Sequence, residues 1–405
     1  MKLVASNLVG AYEQTEELRR LDAVTENAQL MGELTELSQK IQGCMHLIDE
    51  LTLAKDSLKT AGYSTEWFDI INRDNNFMAV VDVEMPKFFG GDEAKQAACE
   101  GAIIDTIKKW AKAVWEWIKA FYVKIKKALV WIMGLWVHQG RPKGELETTY
   151  RKVVDLMEKN GGQTEAAVKY CFADISQKDP DAIIPIIKSY AALSDIVVQM
   201  GSIMYDITNS PLGKQLQEAI SREIEGSRGC VIQVLQTWWV TSKDHPEFKV
   251  PPDMKHNGFM FVASDNMGIQ FAPVCESGDQ IPVIKFGYSS FDKPQQEHYL
   301  KQLGVASQLA YDTVKSLDDK QKLLDSVKRK IESDVRQMTA NVNVDNEDPE
   351  YLRKQVTLRN FTTLTNIFGT IVTKLMRVST TLDRDARVIQ SKMSSVMKDL
   401  NPELK

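Results

Sequence analysis

The chain has 405 residues, 43% hydrophobic and 26% charged, with a net charge of -5. That length can bury two or three ordinary cores, and the acidic balance excludes a protein that coats nucleic acid with its whole surface. Five cysteines (Cys44, Cys99, Cys171, Cys230 and Cys275) are far apart and form no CxxC pair, so neither a disulfide framework nor a zinc site is signalled.

Met1-Lys2-Leu3-Val4-Ala5 is too short an apolar stretch for a secretory signal, and Glu13, Glu16 and Glu17 follow closely. No run of 18 or more apolar residues is present, so a conventional membrane span is not expected. Residues 11–60 read as one or two helices, with Leu18, Leu21, Leu34, Leu37, Ile41, Ile48 and Leu51 at helical spacing and Gly62 as the stop. Ser64-Thr65-Glu66 looks like the cap of a short helix. Residues 75–92, with Pro86 and Gly90-Gly91, read as a linker.

Residues 101–136 carry the most information. At about 100° per residue, Lys108, Lys109, Lys112, Lys119, Lys126 and Lys127 fall in an arc of roughly 100°. Ile107, Trp110, Val114, Trp117, Ile118, Phe121, Ile125, Ile132 and Leu135 take the opposite side. Five of the eight tryptophans lie here: Trp110, Trp115, Trp117, Trp131 and Trp136. Tryptophan suits a headgroup boundary and lysine is drawn to anionic lipid, so these side chains form a candidate membrane or partner face. The apolar stretch from Ala128 to Val137 is too short to span, and such a helix would lie on the bilayer. The same pattern also fits a core helix with lysines along its solvated edge.

Gln139-Gly140-Arg141-Pro142 ends that helix. Four or five helical segments are expected over 144–240, separated by Gly161-Gly162, Asp179-Pro180 and Asn209-Ser210-Pro211. Phe259 to Val262, Ile269 to Val274 and Ile281 to Phe286 read as a small antiparallel meander. Helix returns after Pro294 to about Asn341, and Asp348-Pro349-Glu350 is a strong helix start. The expected fold is therefore mainly α, a bundle-like body with a small β meander near residues 258–288. Its expected divisions are a helical region over 1–100, the Trp/Lys helix over 101–138, a helical body over 139–250, the meander over 251–290, and long helices over 291–405.

No catalytic, cofactor or metal motif stands out. His46, His138, His245, His256 and His298 are isolated in sequence, and Asp318-Asp319 and Asp383/Asp385 read as solvated helix faces. Cys171 and Cys230 read as core residues and Trp238-Trp239 as a packing anchor. The reading is non-enzymatic, with no cofactor and no direct DNA binding indicated.

The order of features, from Glu84-Met85-Pro86 through Ala97-Ala98-Cys99-Glu100-Gly101 into the Lys/Trp helix, resembles the internal head proteins of large tailed bacteriophages. Thr381-Leu382-Asp383-Arg384-Asp385-Ala386-Arg387 adds to the likeness. The resemblance covers about a third of the chain. It implies a structural protein made in the infected cell, packed into the virion, trimmed by a prohead protease and in some cases ejected into the host. Such proteases cut after a small or aliphatic residue, any residue, then Glu. Ala98-Cys99-Glu100 fits, leaving Gly101 as the new N-terminus and residues 1–100 as a propeptide or head-targeting region. Small-x-Glu also occurs at Ala11-Tyr12-Glu13, Ser64-Thr65-Glu66 and Ser221-Arg222-Glu223. The implied partners are other virion proteins, further copies of the chain, or an anionic membrane surface. A membrane-active helical toxin and a cytosolic helical scaffold are the alternatives.

Overall fold

A computed structural model describes residues 2–64, 91–137, 145–159, 170–172, 174–176, 178–209, 259–264, 268–273, 292–340 and 349–400. Six helices make up nearly all of it: α1 (Lys2–Ala61), α2 (Asp92–Val137), α3 (Glu145–Lys159), α4 (Pro180–Asn209), α5 (Lys293–Ala340) and α6 (Pro349–Leu400). The linker at 75–90, the cap at Ser64-Thr65-Glu66 beyond Ser64, the helical segments expected over 210–240, and Trp238-Trp239 lie outside the described residues.

Local chemistry sets the helix ends. α1 stops where Gly62 takes a φ of 73°, a left-handed conformation that glycine adopts without a Cβ clash, while its N–H donates to the Leu58 carbonyl at 2.9 Å. α4 starts on Asp179, whose carboxylate accepts from the Asp181 N–H at 2.9 Å, with Pro180 at the first helical position. α5 starts on a reciprocal cap. The Gln295 N–H donates to the Asp292 carboxylate at 3.0 Å, and the Asp292 N–H donates to the Gln295 side chain at 3.1 Å.

The helices pack as a bundle of mixed directions, and side-chain contacts give each one. The start of α2 meets the end of α1, because Gln96 donates to the Leu58 carbonyl at 3.5 Å. Further along, Lys124 pairs with Glu33 at 2.5 Å. α6 also opposes α1, through Gln355 to Thr52 and Asn27 to Thr380, each at 3.0 Å. α4 and α5 run side by side in the same direction, with His298 against Asp181 at one end and Lys320 on Ser194 and Asp195 further along. α6 returns antiparallel to α5, joined through Tyr299 and Asp385 near one end and Lys354 and Gln337 near the other.

One apolar core joins all six helices. α6 contributes Phe361, Leu364, Phe368, Ile371, Leu375, Val378 and Leu382, all buried and all at the expected helical spacing. α6 is also rich in threonine. Thr362, Thr370, Thr373 and Thr380 turn their hydroxyls back onto carbonyls one turn earlier, at 2.7 to 2.9 Å. That local bond lets a polar residue sit in a packed helix without needing a partner across the interface. Where α2 meets α6 the Phe121 ring packs onto Gly369, whose position would place a Cβ 2.1 Å from the ring.

The expected β meander is overturned. The architecture is helical, and every described core side chain belongs to a helix or to the 170–178 segment. The described residues hold only a lone antiparallel pairing, β1 (Phe259–Ser264) with β2 (Gly268–Pro273), in which Phe261 stands opposite Phe271. Two strands do not make a meander, and the run from Ile281 to Phe286 lies outside the described residues. β2 lies beside α6, but the wide apolar faces of the long helices already pack on one another, so the body is built without a sheet layer.

Candidate functional site

α2 extends the Trp/Lys segment at its N-terminal side, since the helix begins at Asp92 and not at Gly101. Most of its apolar face is core. Ile103, Ile107, Val114, Ile118, Phe121, Ile125 and Ile132 are buried, and so is Trp115. Trp115 lies 6.3 Å from the Phe361 ring of α6, and Tyr122 stacks on the same ring at 6.0 Å. Trp110, Trp117 and Trp131 are half-buried against the core. The side chain of Trp136 lies outside the described residues.

The lysines point outward. Lys109, Lys112, Lys126 and Lys127 are exposed, while Lys108 and Lys119 are half-buried and Lys119 pairs with Glu116 at 2.6 Å. Val123 and Val130 stand among them, 56% and 55% exposed, which makes this outer strip both basic and apolar. The helix thus has one face in the core and a Lys/Val strip toward solvent.

The candidate processing residues lie within the early turns of α2. Ala98 and Glu100 are half-buried, Gly101 is exposed, and Cys99 is buried at 3%. Burial, with Glu100 beside it, pushes the Cys99 thiol up. Gln96 donates to Glu100 at 3.2 Å across one turn. A protease needs an extended strand, so cutting here requires the first turns of α2 to open locally.

The structure brings together residues that sequence spacing did not associate. His298 is not isolated, because its Nε2 sits 2.6 Å from the Asp181 carboxylate, 117 positions away. Both line a crevice of about 400 Å³ at the shared N-terminal end of α4 and α5, with Asp179, Gln295, Tyr299 and Gln302. The pair is about half exposed, which makes it weak as an ion pair. The cap acids Asp179 and Asp292 already hold amides at that end.

Behind the crevice, Asp385 is not on a solvated face. It is 1% exposed and accepts from the Ser176 N–H at 2.7 Å, the Ser176 hydroxyl at 2.5 Å and the Tyr299 hydroxyl at 3.1 Å. Burial raises its pKa, partly offset by the Ser176 and Tyr299 bonds. Burial likewise pushes the Tyr299 hydroxyl far up, reinforced by Asp385, so it remains a donor. Lys392 pairs with Asp174 and stands over the Tyr170 ring at 4.6 Å, fastening the same segment to α6. Asp383 is buried as well and pairs with Arg387 at 2.9 Å, whereas Asp319 is the solvated acid that sequence reading expected. The missed signal was the position of Asp385, three residues after Leu382 and four before Ile389 on the densely apolar stripe of α6.

Cys44 and Cys171 are buried, and desolvation pushes their thiols up to about 12 and about 11. Among the described residues no group of three or more His, Cys, Asp or Glu could hold a metal ion, and no helix is long and apolar enough to cross a membrane. Searches against protein-family models, characterised proteins and solved structures return no match.

Proposed function

We propose that the protein is a structural, non-enzymatic internal virion protein of a tailed bacteriophage, packed in the head, trimmed after Glu100 and able to pass into the host cell. The observation that supports it is where Ala98-Cys99-Glu100-Gly101 falls: after α1 and within the first turns of α2. A single cut there divides the chain between its first long helix and the rest. α1 would leave with Leu34, Ile41, Ile48 and Leu58, each 0 to 1% exposed in the bundle. Returning four such side chains to water costs roughly 6–12 kcal/mol, so α1 stays seated after the cut until it is displaced, and its departure would change the exposed surface of α2. Its partners in this reading are other virion proteins or further copies of itself.

The test is the intact mass and N-terminal peptide of the protein taken from native particles. A chain starting at Gly101 is expected. A chain intact from Met1 removes the processing step and with it the strongest support for the virion reading.

A membrane-active helical protein is the second reading, favoured by the half-buried tryptophans and exposed Lys/Val strip of α2. In that reading the purified full chain makes vesicles leak with no trimming.

A further inference from the structure

Trp110, Trp117, Lys124 and Trp131 recur at seven-residue intervals, which places them on one stripe of α2. All four are half-buried. The ion pair of Lys124 with Glu33 at 2.5 Å fixes what that stripe faces, because Glu33 belongs to α1. Glu33 is held below the usual carboxylate range by Lys124 first, then Gln29, with Lys127 also contributing. Three tryptophans therefore lie along the seam that α1 closes.

The next stripes around the helix are the exposed ones. They carry Lys109, Lys112, Lys126 and Lys127, with Val123 and Val130 between them. Tryptophan row and lysine strip are contiguous on α2, and α1 lies along the tryptophan row. Polar groups that hold α1 down include Glu33 on Lys124, Thr52 on Gln355, Asn27 on Thr380 and the Leu58 carbonyl, which accepts from Gln96.

We propose that α1 is a built-in cover for a lipid-binding face of α2, and that the partner of this face is an anionic membrane surface. When α1 lifts, Trp110, Trp117 and Trp131 are uncovered as an apolar row beside the lysine strip that carries Val123 and Val130. Tryptophan then seats at the headgroup boundary while the lysines meet lipid phosphates. The proposal builds on the membrane contact allowed for in the function proposed above but needs no cleavage at Glu100, so the two fail separately.

The experiment uses the full chain with vesicles of phosphatidylcholine alone or mixed with phosphatidylglycerol. Glu33→Lys sets two cations against each other at the seam, and at least a fivefold gain in binding to the anionic vesicles is expected, with a blue shift of tryptophan emission. A Glu33→Cys/Lys124→Cys variant, its two thiols joined by a short reducible bis-methanethiosulfonate linker confirmed by peptide mass, should bind anionic vesicles at least fivefold more weakly when linked than after reduction. Because the linked and reduced forms share one chain, loss of folding cannot imitate that difference. Equal binding of the two forms, binding indifferent to phosphatidylglycerol, or no binding by any variant would overturn the cover. An untrimmed native chain leaves the cover standing, since every arm of the test uses the full chain.

Discussion

Replacing Gly369 by alanine puts a methyl group where the Phe121 ring stands. The added Cβ would sit 2.1 and 2.5 Å from two ring carbons, against an ordinary carbon–carbon separation of about 3.7 Å. The ring must therefore retreat by about 1.5 Å, and at 1% exposure it has no solvent to move into. Overpacking of this kind costs about 1–3 kcal/mol, with a rigid ring at the upper end, while alanine regains about 1 kcal/mol in helix propensity. The net expectation is a loss of about 2 kcal/mol, near thirtyfold in the unfolding equilibrium. Denaturant titration followed by helical circular dichroism measures it. Gly134→Ala is the control, since nothing lies within 4 Å of its added Cβ, and it should be neutral or slightly stabilising. In the double variant Gly369→Ala/Phe121→Leu, the methyl enters space vacated by the ring, so the two losses should fall short of additivity by more than about 1 kcal/mol. If Gly369→Ala matches the native chain, or the double variant is strictly additive, the close approach of α2 and α6 at this point is wrong.

The raised pKa of Asp385 sets a direction for pH dependence. A carboxyl raised in the fold contributes most when protonated, below its unfolded pKa, and that contribution is lost as pH climbs through the folded value. Melting curves of the native chain and Asp385→Asn from pH 4 to pH 8 should show the variant gaining relative stability as pH rises; a variant that loses ground to the native chain as pH rises contradicts the burial. Asn360, 2% exposed, finds no partner among the described residues for either end of its side-chain amide. Asn360→Leu should therefore stabilise by about 1 kcal/mol in the same titration, and a clear loss would mean the amide is satisfied in solution.

The long helices were legible because their signals are local and repeated. Gly62, Asp179-Pro180 and Asp348-Pro349 mark helix boundaries through backbone chemistry that neighbouring residues decide. The core stripe of α6 was visible as spacing alone. The meander was misjudged because short apolar runs between turn residues carry no record of whether a layer exists to pack on them. Asp385 was misjudged for a related reason. A charged residue in a mixed-charge stretch reads as solvated, and only Ser176 and Tyr299, brought in from distant positions, reveal otherwise.

For the candidate site the division is sharper. Sequence by itself determined that residues 101–136 form an amphipathic helix with tryptophan on one side and lysine on the other, because periodicity follows from the 3.6-residue turn. Which part of that helix is core, which part is covered by α1 and which part meets solvent was decided only by tertiary structure. An apolar stripe pays the same hydrophobic gain against a neighbouring helix as against any other dry surface, so its composition does not name its partner. The Glu33–Lys124 pair and the exposed valines supply that information, and they arise only once α1 and α2 lie side by side.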